Sequence, residues 1–374
     1  MAAGTIRPMT TIGVVFGGPS PEHDISILTG LQAARALHDA GEQVTCLYWT
    51  KTASWKRVPP TTEAAAFLEP SIDGGVDVEM TVPGGFVERK RLRDSPIELD
   101  VVLNCCHGGP GEDGTLAGLL LASGVKVTGP RPQAAALAMD KVASAAAARS
   151  VGIPTIDTAV VTDDASTDLP PTPWVAKPRF GGSSIGVEAG VDDLDTVRAL
   201  GRTGAGRAGM VVQPFLQGWI DLNISVRTHP TLQLSEIEKP IRVDDAVYDY
   251  RGKYLTGGQG MDAAPRELPA DIPDKVADTI REHATALVPV LDLSGAPRID
   301  FLWDGADQVV LCEVNSIPGA WGNHLWQASG VPRLQLYREL VAEAEASRPG
   351  LPQWAATSDG AALRMSGSIA AKLT

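Results

Sequence analysis

The first part of the chain alternates short apolar runs with stretches of helical period. TIGVVF, residues 11–16, is a predicted strand, and the helix that follows carries its apolar stripe from Ile27 to Leu37 and ends near Gly41. VTCLYW, residues 44–49, is a second predicted strand. This order predicts one strand–helix–strand unit.

The same order returns after a segment of different composition. Residues 50–98 are rich in Pro, Gly and charge, which predicts irregular hairpins or a family-variable insertion. A strand (99–103), a Gly-rich loop (104–114), a helix (115–124) and a strand (125–129) then follow. Strands that alternate with helices and end in Gly-rich loops predict a doubly wound sheet, whose ligands bind at the carboxyl ends of its strands.

The rest of the chain has shorter elements. An Ala-rich helix in residues 139–155 stops at Gly152, and two strand-like runs flank the loop RFGGSS, residues 179–184. From residue 211 onward, strand-like runs alternate with loops, with one helix predicted near 275–287. The tail from about residue 347 is rich in small residues and is predicted to be mobile.

Composition narrows the class of protein. A length of 374 residues predicts two or three domains that share a cleft, and the net charge of -13 argues against nucleic acid or an anionic membrane as a partner. The four cysteines lack zinc-site spacing and are interpreted as buried thiols in a reducing compartment. The N-terminus has no apolar signal region and no run is long enough to span a bilayer, so we expect a cytoplasmic protein.

Acidic and amide side chains cluster in the predicted hairpin RIDFLWDGADQVVLCEVN, residues 298–315. Centring its turn on DGAD places Arg298 opposite Glu313 and Asp300 opposite Leu311, with Asn315 on the same face as both carboxylates. Hard oxygens on one face are typical of a Mg²⁺ site that bridges phosphates. The alternative is an Arg298–Glu313 ion pair on a solvated face.

The segment KPRFGGSSIG predicts a phosphate-binding loop. Its glycines and serines supply backbone N–H groups and hydroxyls, and Lys177 and the upstream Lys141 supply positive charge. A flexible hairpin tip and solvated surface lysines are the alternative interpretation.

Two further segments carry candidate binding groups. In GGPSPEHDIS, Glu22 follows the first strand, where it either binds a ligand or begins the helix as a favourable carboxylate. YDYRGKYL, residues 248–255, is either an edge strand or a lid over the cleft. His23 and His107 lack metal-ligand spacing and are not predicted to bind zinc.

Seven segments together resemble D-alanine–D-alanine ligases of the ATP-grasp superfamily. In chain order they are FGGPSPEHDIS, HGGPGEDGTLAGLL, MDKVAS, VAKPRFGGSSIGV, YDYRGKYL, RIDF and EVNSIPG. The resemblance implies an α/β ATP-grasp fold, a doubly wound N-terminal domain with ATP held between two antiparallel-sheet subdomains, and a homodimer. The implied N-terminal domain covers residues 1–136, and the central subdomain with the phosphate loop covers residues 137–214. The implied C-terminal subdomain, with the metal site and lid, covers residues 215–346, and residues 347–374 form a tail.

The resemblance also implies a reaction. The carboxylate of the first amino acid attacks the γ-phosphate of ATP to give an acyl phosphate, and the amine of the second amino acid displaces phosphate. The implied ATP-binding residues are Lys141, Lys177 and Lys253 at the phosphates, Gln213, Phe215 and Leu216 at adenine, and Asp221 at ribose. Two Mg²⁺ ions are implied at Asp300, Glu313 and Asn315. The implied catalytic residues are Glu22, Ser183, Tyr254, Arg298 and Gly319, and the implied amino-acid-binding residues are Glu22, His107, His324 and Leu325.

The acceptor half departs from the family pattern. His324 stands where the family has a Ser that grips the acceptor carboxylate, and Trp321 replaces a small hydroxyl residue. A cationic His324 binds a carboxylate, whereas a neutral one shapes the pocket for another acceptor. Gln213 replaces a Glu at adenine, beside Pro214, and the lid segment lacks the usual aromatic residues.

Four hypotheses for function follow. The first is an ATP-dependent ligase that joins two amino acids, with D-alanine and D-alanine as the default pair. The second is a specialised-metabolism ligase with a different acceptor. The third is an ATP-grasp carboxylase, which is disfavoured because no bicarbonate or biotin motif is present. The fourth is a nucleotide-binding regulator without turnover, which is disfavoured because every phosphate and metal residue is present.

Overall fold

The structure, a computed structural model, describes residues 10–68, 75–91, 93–162, 169–241, 265–347 and 359–368. The predicted lid residues Lys253 and Tyr254, and most of the tail, lie outside the described residues. Within the described ranges, none of the helices combines the length and apolar character needed to cross a membrane.

Helices and strands alternate through most of the described chain. The α-helices are α1 (His23–Asp39), α2 (Thr115–Ala122), α3 (Pro132–Met139), α4 (Lys141–Ser150), α5 (Leu194–Gly201), α6 (Asp274–Leu291), α7 (Asn323–Ala328), α8 (Arg333–Ala346) and α9 (Ala361–Met365). The strands are β1 (Thr11–Gly17), β2 (Gln43–Trp49), β3 (Trp55–Val58), β4 (Val76–Thr81), β5 (Gly85–Glu88), β6 (Ser95–Ile97), β7 (Val101–Asn104), β8 (Lys126–Val127), β9 (Ala159–Val161), β10 (Trp174–Pro178), β11 (Glu188–Val191), β12 (Met210–Pro214), β13 (Ile220–Arg227), β14 (Gln233–Leu234), β15 (Lys239–Pro240), β16 (Arg266–Glu267), β17 (Arg298–Trp303) and β18 (Val309–Asn315).

The first sheet has the strand order β6-β5-β4-β3-β2-β1-β7-β8. Strands β2, β1, β7 and β8 are parallel, which confirms the predicted doubly wound core. The inserted segment does not form irregular hairpins: β3 to β6 extend the same sheet with antiparallel strands. Its few apolar residues suffice for this, because Trp55 stacks on Trp49 with 4.9 Å between ring centroids, and Val78 and Phe86 are buried.

Both faces of the first sheet are covered, and the alternation of β1 shows how. Val14 and Phe16 lie in a buried cluster with residues of α1 and α8, whereas Val15 lies in a second cluster with Leu116 and Leu120 of α2. Helix α8 therefore packs on the first sheet, although it follows the last strands of the chain.

The other two large sheets are antiparallel, as predicted. Their strand orders are β11-β10-β12-β9 and β14-β13-β17-β18. Helix α5 buries Val197 in the core of the first of these sheets, and α6 packs its apolar face on the second. The predicted helix near 275–287 is confirmed and extends from Asp274 to Leu291.

The predicted register of the β17–β18 hairpin is wrong. Its loop has five residues instead of four, because Trp303 pairs with Val309 and the Asp304 N–H donates to the Gln308 carbonyl at 3.1 Å. A bulge then skips Cys312. As a result Asp300 pairs with Glu313 and Arg298 with Asn315, in place of the predicted Arg298–Glu313 and Asp300–Leu311 pairs.

The bulge explains why the predicted common face survives the wrong register. A shift by one residue would have turned Glu313 and Asn315 to the opposite face, and the extra residue Cys312 turns them back.

Helix α1 approaches β1 so closely that one position tolerates only glycine. A Cβ atom built on Gly30 would lie 2.4 Å from Cβ of Phe16. An alanine in an open helical position normally stabilises a protein by about 0.5–1 kcal/mol relative to glycine.

We therefore expect Gly30→Ala to lower the free energy of unfolding by about 1–3 kcal/mol, because the methyl group overpacks the interface. Gly118→Ala in α2 is the matched control, since its Cβ would lie 3.7 Å from the nearest atom, and it should be stabilising or neutral. Urea unfolding of the three proteins measures both effects. Equal stability of the Gly30→Ala and Gly118→Ala variants would contradict the tight α1–β1 contact.

Candidate active site

One cavity of about 280 Å³ is bounded by both antiparallel sheets and by the loops that follow β1 and β7. Nearly all predicted site residues within the described ranges line it. They are Glu22, His107, Lys141, Lys177, Ser183, Gln213, Phe215, Leu216, Asp221, Arg298, Asp300, Glu313, Asn315, Gly319 and His324. Leu325 is the exception among the described site residues, because its side chain is fully buried away from the cavity.

Two lysines lie in the cavity wall and are not solvated surface charges. Lys141 is 8% exposed and Lys177 is 6% exposed. The Nζ atom of Lys141 donates to the Gly181 carbonyl at 2.5 Å and lies 4.0 Å from a carboxylate oxygen of Glu313. Burial lowers the pKa of Lys141, while the charge of Glu313 opposes that shift.

The start of α4 fixes the position of Lys141. Asp140 caps the helix by accepting the Val142 N–H at 3.0 Å, and Arg179 donates to the same carboxylate at 2.8 Å through its Nε atom. This contact links the start of α4 to Arg179, the first residue of the predicted phosphate-binding loop, residues 179–184, which is called the phosphate-type loop below.

The loop 179–184 has an unusual backbone. Gly181, Ser183 and Ser184 have φ values of 117°, 52° and 56°, in the left-handed region. Such conformations turn successive N–H groups toward one side and make a concave site for anions. The Ser183 hydroxyl donates to the Glu22 carboxylate, which joins this loop to the start of α1.

Glu22 is buried and does not cap the helix that it precedes, since its side chain makes no capping hydrogen bond. Burial and the charge of Glu112 raise the pKa of Glu22, and the Ser183 hydroxyl opposes this. A raised pKa at a buried carboxylate indicates a group that is stabilised when a cation, such as an ammonium, binds beside it.

The oxygen-rich face of the hairpin points into the cavity. Arg298 donates to both oxygens of Asp300, at 2.7 and 2.8 Å, and Nδ2 of Asn315 donates to the same carboxylate at 2.9 Å. Arg298 is thus paired with Asp300.

These residues fit a hard cation. With Nδ2 of Asn315 held by Asp300, its Oδ1 faces the phosphate-type loop, 3.9 Å from a Cβ built on Gly182. Among the described residues, no three His, Cys, Asp or Glu side chains meet at one point. A cation here therefore needs the Asn315 oxygen beside Glu313 and Asp300, together with oxygens of a bound phosphate.

Part of the cavity wall is apolar, because Phe215 and Leu216 line it. Asp221 of β13 also lines the cavity. Gln213 is buried and its Nε2 donates to the Thr158 hydroxyl at 2.8 Å, so its orientation is fixed.

A buried glutamate that the motif interpretation did not single out holds the loop after β18. Glu112 accepts the N–H of Ile317 at 3.0 Å, the hydroxyl of Ser316 at 3.2 Å and the N–H of Gly108 at 3.0 Å. Burial raises its pKa, although these hydrogen bonds oppose the shift. Its position within HGGPGEDG was the available sequence signal.

His107 makes a second connection to this loop. Its Nδ1 donates to the Ile317 carbonyl at 2.7 Å, so Nε2 accepts from the Thr29 hydroxyl at 2.8 Å. The Thr29 oxygen in turn accepts the Ala320 N–H at 3.0 Å. Burial lowers the pKa of His107, and the neutral ring is committed at both nitrogens.

Trp321 does not form part of the cavity wall. Its side chain is fully buried, and Cβ atoms built on Gly129 and Gly295 would lie 3.3 and 3.0 Å from its ring. A left-handed backbone at Ala320 and Trp321, with φ values of 48° and 56°, turns the indole into the core. Of the Trp-Gly-Asn-His run, only His324 lines the cavity in the described structure.

His324 contacts a second carboxylate that the sequence did not reveal. Its Nε2 lies 3.2 Å from Oε2 of Glu238, and Arg266 lies 3.1 Å from Oε1. The backbone of Glu238 pairs with Asn223 of β13 through two hydrogen bonds of 2.9 Å, which brings the side chain to the cavity. Burial would raise the pKa of Glu238, but His324, Arg266 and Arg298 lower it to about 2.

Comparison with known folds shows the same architecture in ligases of several bacteria. D-alanine–D-alanine ligase from Helicobacter pylori has a TM-score of 0.70 at 23% identity, covering 92% of this chain and all of that chain (100%). D-alanyl-alanine synthetase A from Vibrio cholerae has a TM-score of 0.73 at 21% identity, with 91% and 100% coverage. VanG D-Ala:D-Ser ligase from Enterococcus faecalis has a TM-score of 0.71 at 23% identity, with 90% and 99% coverage. These similarities confirm the predicted ATP-grasp fold.

Sequence comparison identifies the family. Models described as "D-ala D-ala ligase N-terminus" and "D-ala D-ala ligase C-terminus" match residues 11–130 and 149–342. A D-alanine–D-alanine ligase of Ruegeria sp. is 31% identical over 323 residues, 85% of this chain and 88% of the relative. One of Mycobacterium tuberculosis is 31% identical over 369 residues, 91% and 96% of the two chains. Since both halves match in order and the relatives align along nearly their whole length, the protein belongs to the D-alanine–D-alanine ligase family.

Proposed function

We propose that the protein is an ATP-dependent, ADP-forming ligase that joins D-alanine to D-alanine through an acyl phosphate. The observation that carries this proposal is the contact between Ser183 and Glu22. It places the carboxylate suited to an amino-acid ammonium directly beside the loop suited to phosphate. Transfer of a phosphoryl group to an amino-acid carboxylate requires this proximity.

The nucleotide phosphates bind at Lys141, Lys177 and the loop 179–184. Both lysines are held in the wall, so their charges meet the polyphosphate without the loss of side-chain freedom that surface lysines undergo. The adenine lies at the Gln213, Phe215 and Leu216 end.

Asp300, Glu313 and Asn315 would hold two Mg²⁺ ions. Bound there, they would neutralise charge on the phosphate oxygens. Lys141 lies 4.0 Å from Glu313, so the cation and phosphate sites are adjacent.

Other parts of the proposal rest on the family resemblance. Lys253 of the predicted lid binds the phosphates, and Tyr254 joins the hydrogen bonds around the ammonium. The homodimeric state, the cytoplasmic location and the boundaries of the four parts of the chain are predictions of the same kind.

The first D-alanine binds through its ammonium at Glu22, which also accepts from Ser183. Arg298 is oriented by its two bonds to Asp300, and with the backbone N–H of Gly319 it stabilises the oxyanion that develops when the acyl phosphate is attacked. The second D-alanine binds at the His324 end of the same cavity. The names of the relatives favour D-alanine as acceptor over the specialised-metabolism alternative.

The proposal predicts the products of a simple reaction. Purified protein with ATP, Mg²⁺ and D-alanine should release ADP and phosphate in equal amounts and form a dipeptide with the mass of D-Ala-D-Ala. L-alanine serves as the matched control and should give no product. Absence of turnover with D-alanine, together with turnover when a different acceptor is added, would identify the specialised ligase instead.

Glu313→Gln tests the cation site. The amide removes a negative hard ligand, so kcat should fall by at least about 100-fold. Circular dichroism and the melting temperature should be unchanged, since the side chain is at the cavity surface. Glu63→Gln, at a side chain that is 77% exposed, is the control and should retain full activity. Wild-type kcat in Glu313→Gln would remove Glu313 from the proposed cation site.

A further inference from the structure

The acceptor enters the reaction as an ammonium and must lose a proton before its nitrogen can attack. Most candidate bases in the described cavity wall are already committed. Glu22 accepts from Ser183, Glu112 from three donors, and Asp300 from Arg298 and Asn315. His107 uses both ring nitrogens.

His324 differs from His107 because one of its ring nitrogens remains available. Within the described residues, Nε2 is bound by Glu238 and Nδ1 has no hydrogen-bond partner. Nδ1 is not a buried atom without a partner, so it is accessible from the cavity side of the ring. His324 lines the cavity, where a substrate reaches it.

Glu238 determines which nitrogen of His324 carries hydrogen. The carboxylate is buried, and His324, Arg266 at 3.1 Å and Arg298 together lower its pKa to about 2, so it is ionised at physiological pH. A carboxylate accepts only, so Nε2 of His324 must donate to it at 3.2 Å. In the neutral ring Nδ1 is then the nitrogen with the lone pair.

We propose that His324 is the general base that deprotonates the acceptor ammonium, and that Glu238 is the positioning residue that keeps the lone pair on Nδ1. This inference rests on the proposed ligase function and deepens it at the acceptor step. It differs from carboxylate binding by His324, which requires a protonated Nδ1.

The proton balance of the step is complete. Nδ1 takes one proton from the ammonium, and the neutral amine attacks the acyl carbon. The new C–N bond replaces the C–O bond to phosphate, the second amine proton leaves with the phosphate, and the imidazolium returns its proton to solvent.

The charges around His324 are compatible with this role. An ionised carboxylate, Glu238, lies directly beside the ring that takes up the proton. The charged group in direct contact with His324 is Glu238, before β15, and Arg266 on β16 and Arg298 on β17 act on that carboxylate from its other sides.

The test compares an acceptor that needs a base with one that does not. Hydroxylamine is largely neutral at pH 7 and traps the acyl phosphate as a hydroxamate without base assistance. In His324→Asn, formation of D-Ala-D-Ala should fall by about 100-fold or more, while hydroxamate formation from D-alanine and ATP stays at the wild-type rate. Glu238→Gln should show the same pattern with a smaller loss. His38→Asn, at an exposed histidine of α1, should leave both reactions unchanged.

A further readout separates a base from a carboxylate anchor. D-alaninamide lacks the carboxylate, so as acceptor it should suffer the same loss in His324→Asn if His324 is a base and no loss if it is an anchor.

The outcomes distinguish the two proposals. Wild-type protein that forms neither hydroxamate nor dipeptide from D-alanine contradicts the ligase function itself. Hydroxamate formation by the wild type, with normal dipeptide formation in His324→Asn or recovery with D-alaninamide, overturns the general-base role alone.

Discussion

A buried carboxylate, Glu112, connects the first sheet to the strand that carries the proposed cation ligands. Its two oxygens accept from Gly108 on one side and from Ser316 and Ile317 on the other. Loss of either side would leave one oxygen of a buried carboxylate unpaired, which is costly in a medium of low polarity. The loop after β18 is therefore fixed relative to the loop after β7. Glu22 and Asn315 face the same glycine, Gly182. The remainder of the site depends on this constraint, because its residues come from three different sheets.

Periodicity and turn residues predicted the elements of the fold well. Strands such as β1 and helices such as α6 have strong local patterns, and the order of the N-terminal elements predicts the doubly wound sheet. The two antiparallel sheets were implied by the family resemblance. The phosphate-type loop and the oxygen-rich hairpin face were also predictable, since each lies within one short segment. The hairpin register was not, because it depends on hydrogen bonds at Asp304 and on a bulge at Cys312 that no residue pattern signals.

Residues that meet only through tertiary structure escaped prediction. Glu238, Arg266 and His324 are distant in sequence. Only His324 was predicted to bind substrate, because Glu238 and Arg266 look like ordinary polar residues by themselves. They meet because Glu238 pairs with the backbone of β13 and Arg266 with β15. For Trp321 the sequence was misleading in the opposite way, because its proximity to His324 in sequence suggested a place in the acceptor pocket. Its left-handed backbone turns the side chain into the core, where Gly129 and Gly295 lack the Cβ atoms that would crowd the ring.

The packing of α8 on the first sheet has a consequence for synthesis on the ribosome. The apolar face formed by Val14 and Phe16 is completed by Leu336, Tyr337 and Leu340, more than 300 residues later. Until that helix emerges, α1 covers this apolar sheet face only in part, and the exposed remainder is a target for chaperones and for aggregation. The strands of the N-terminal sheet are synthesised first, but the helix that completes its core is synthesised after both antiparallel sheets. Complete folding of the N-terminal sheet therefore waits for synthesis of the two sheets that bound the cavity.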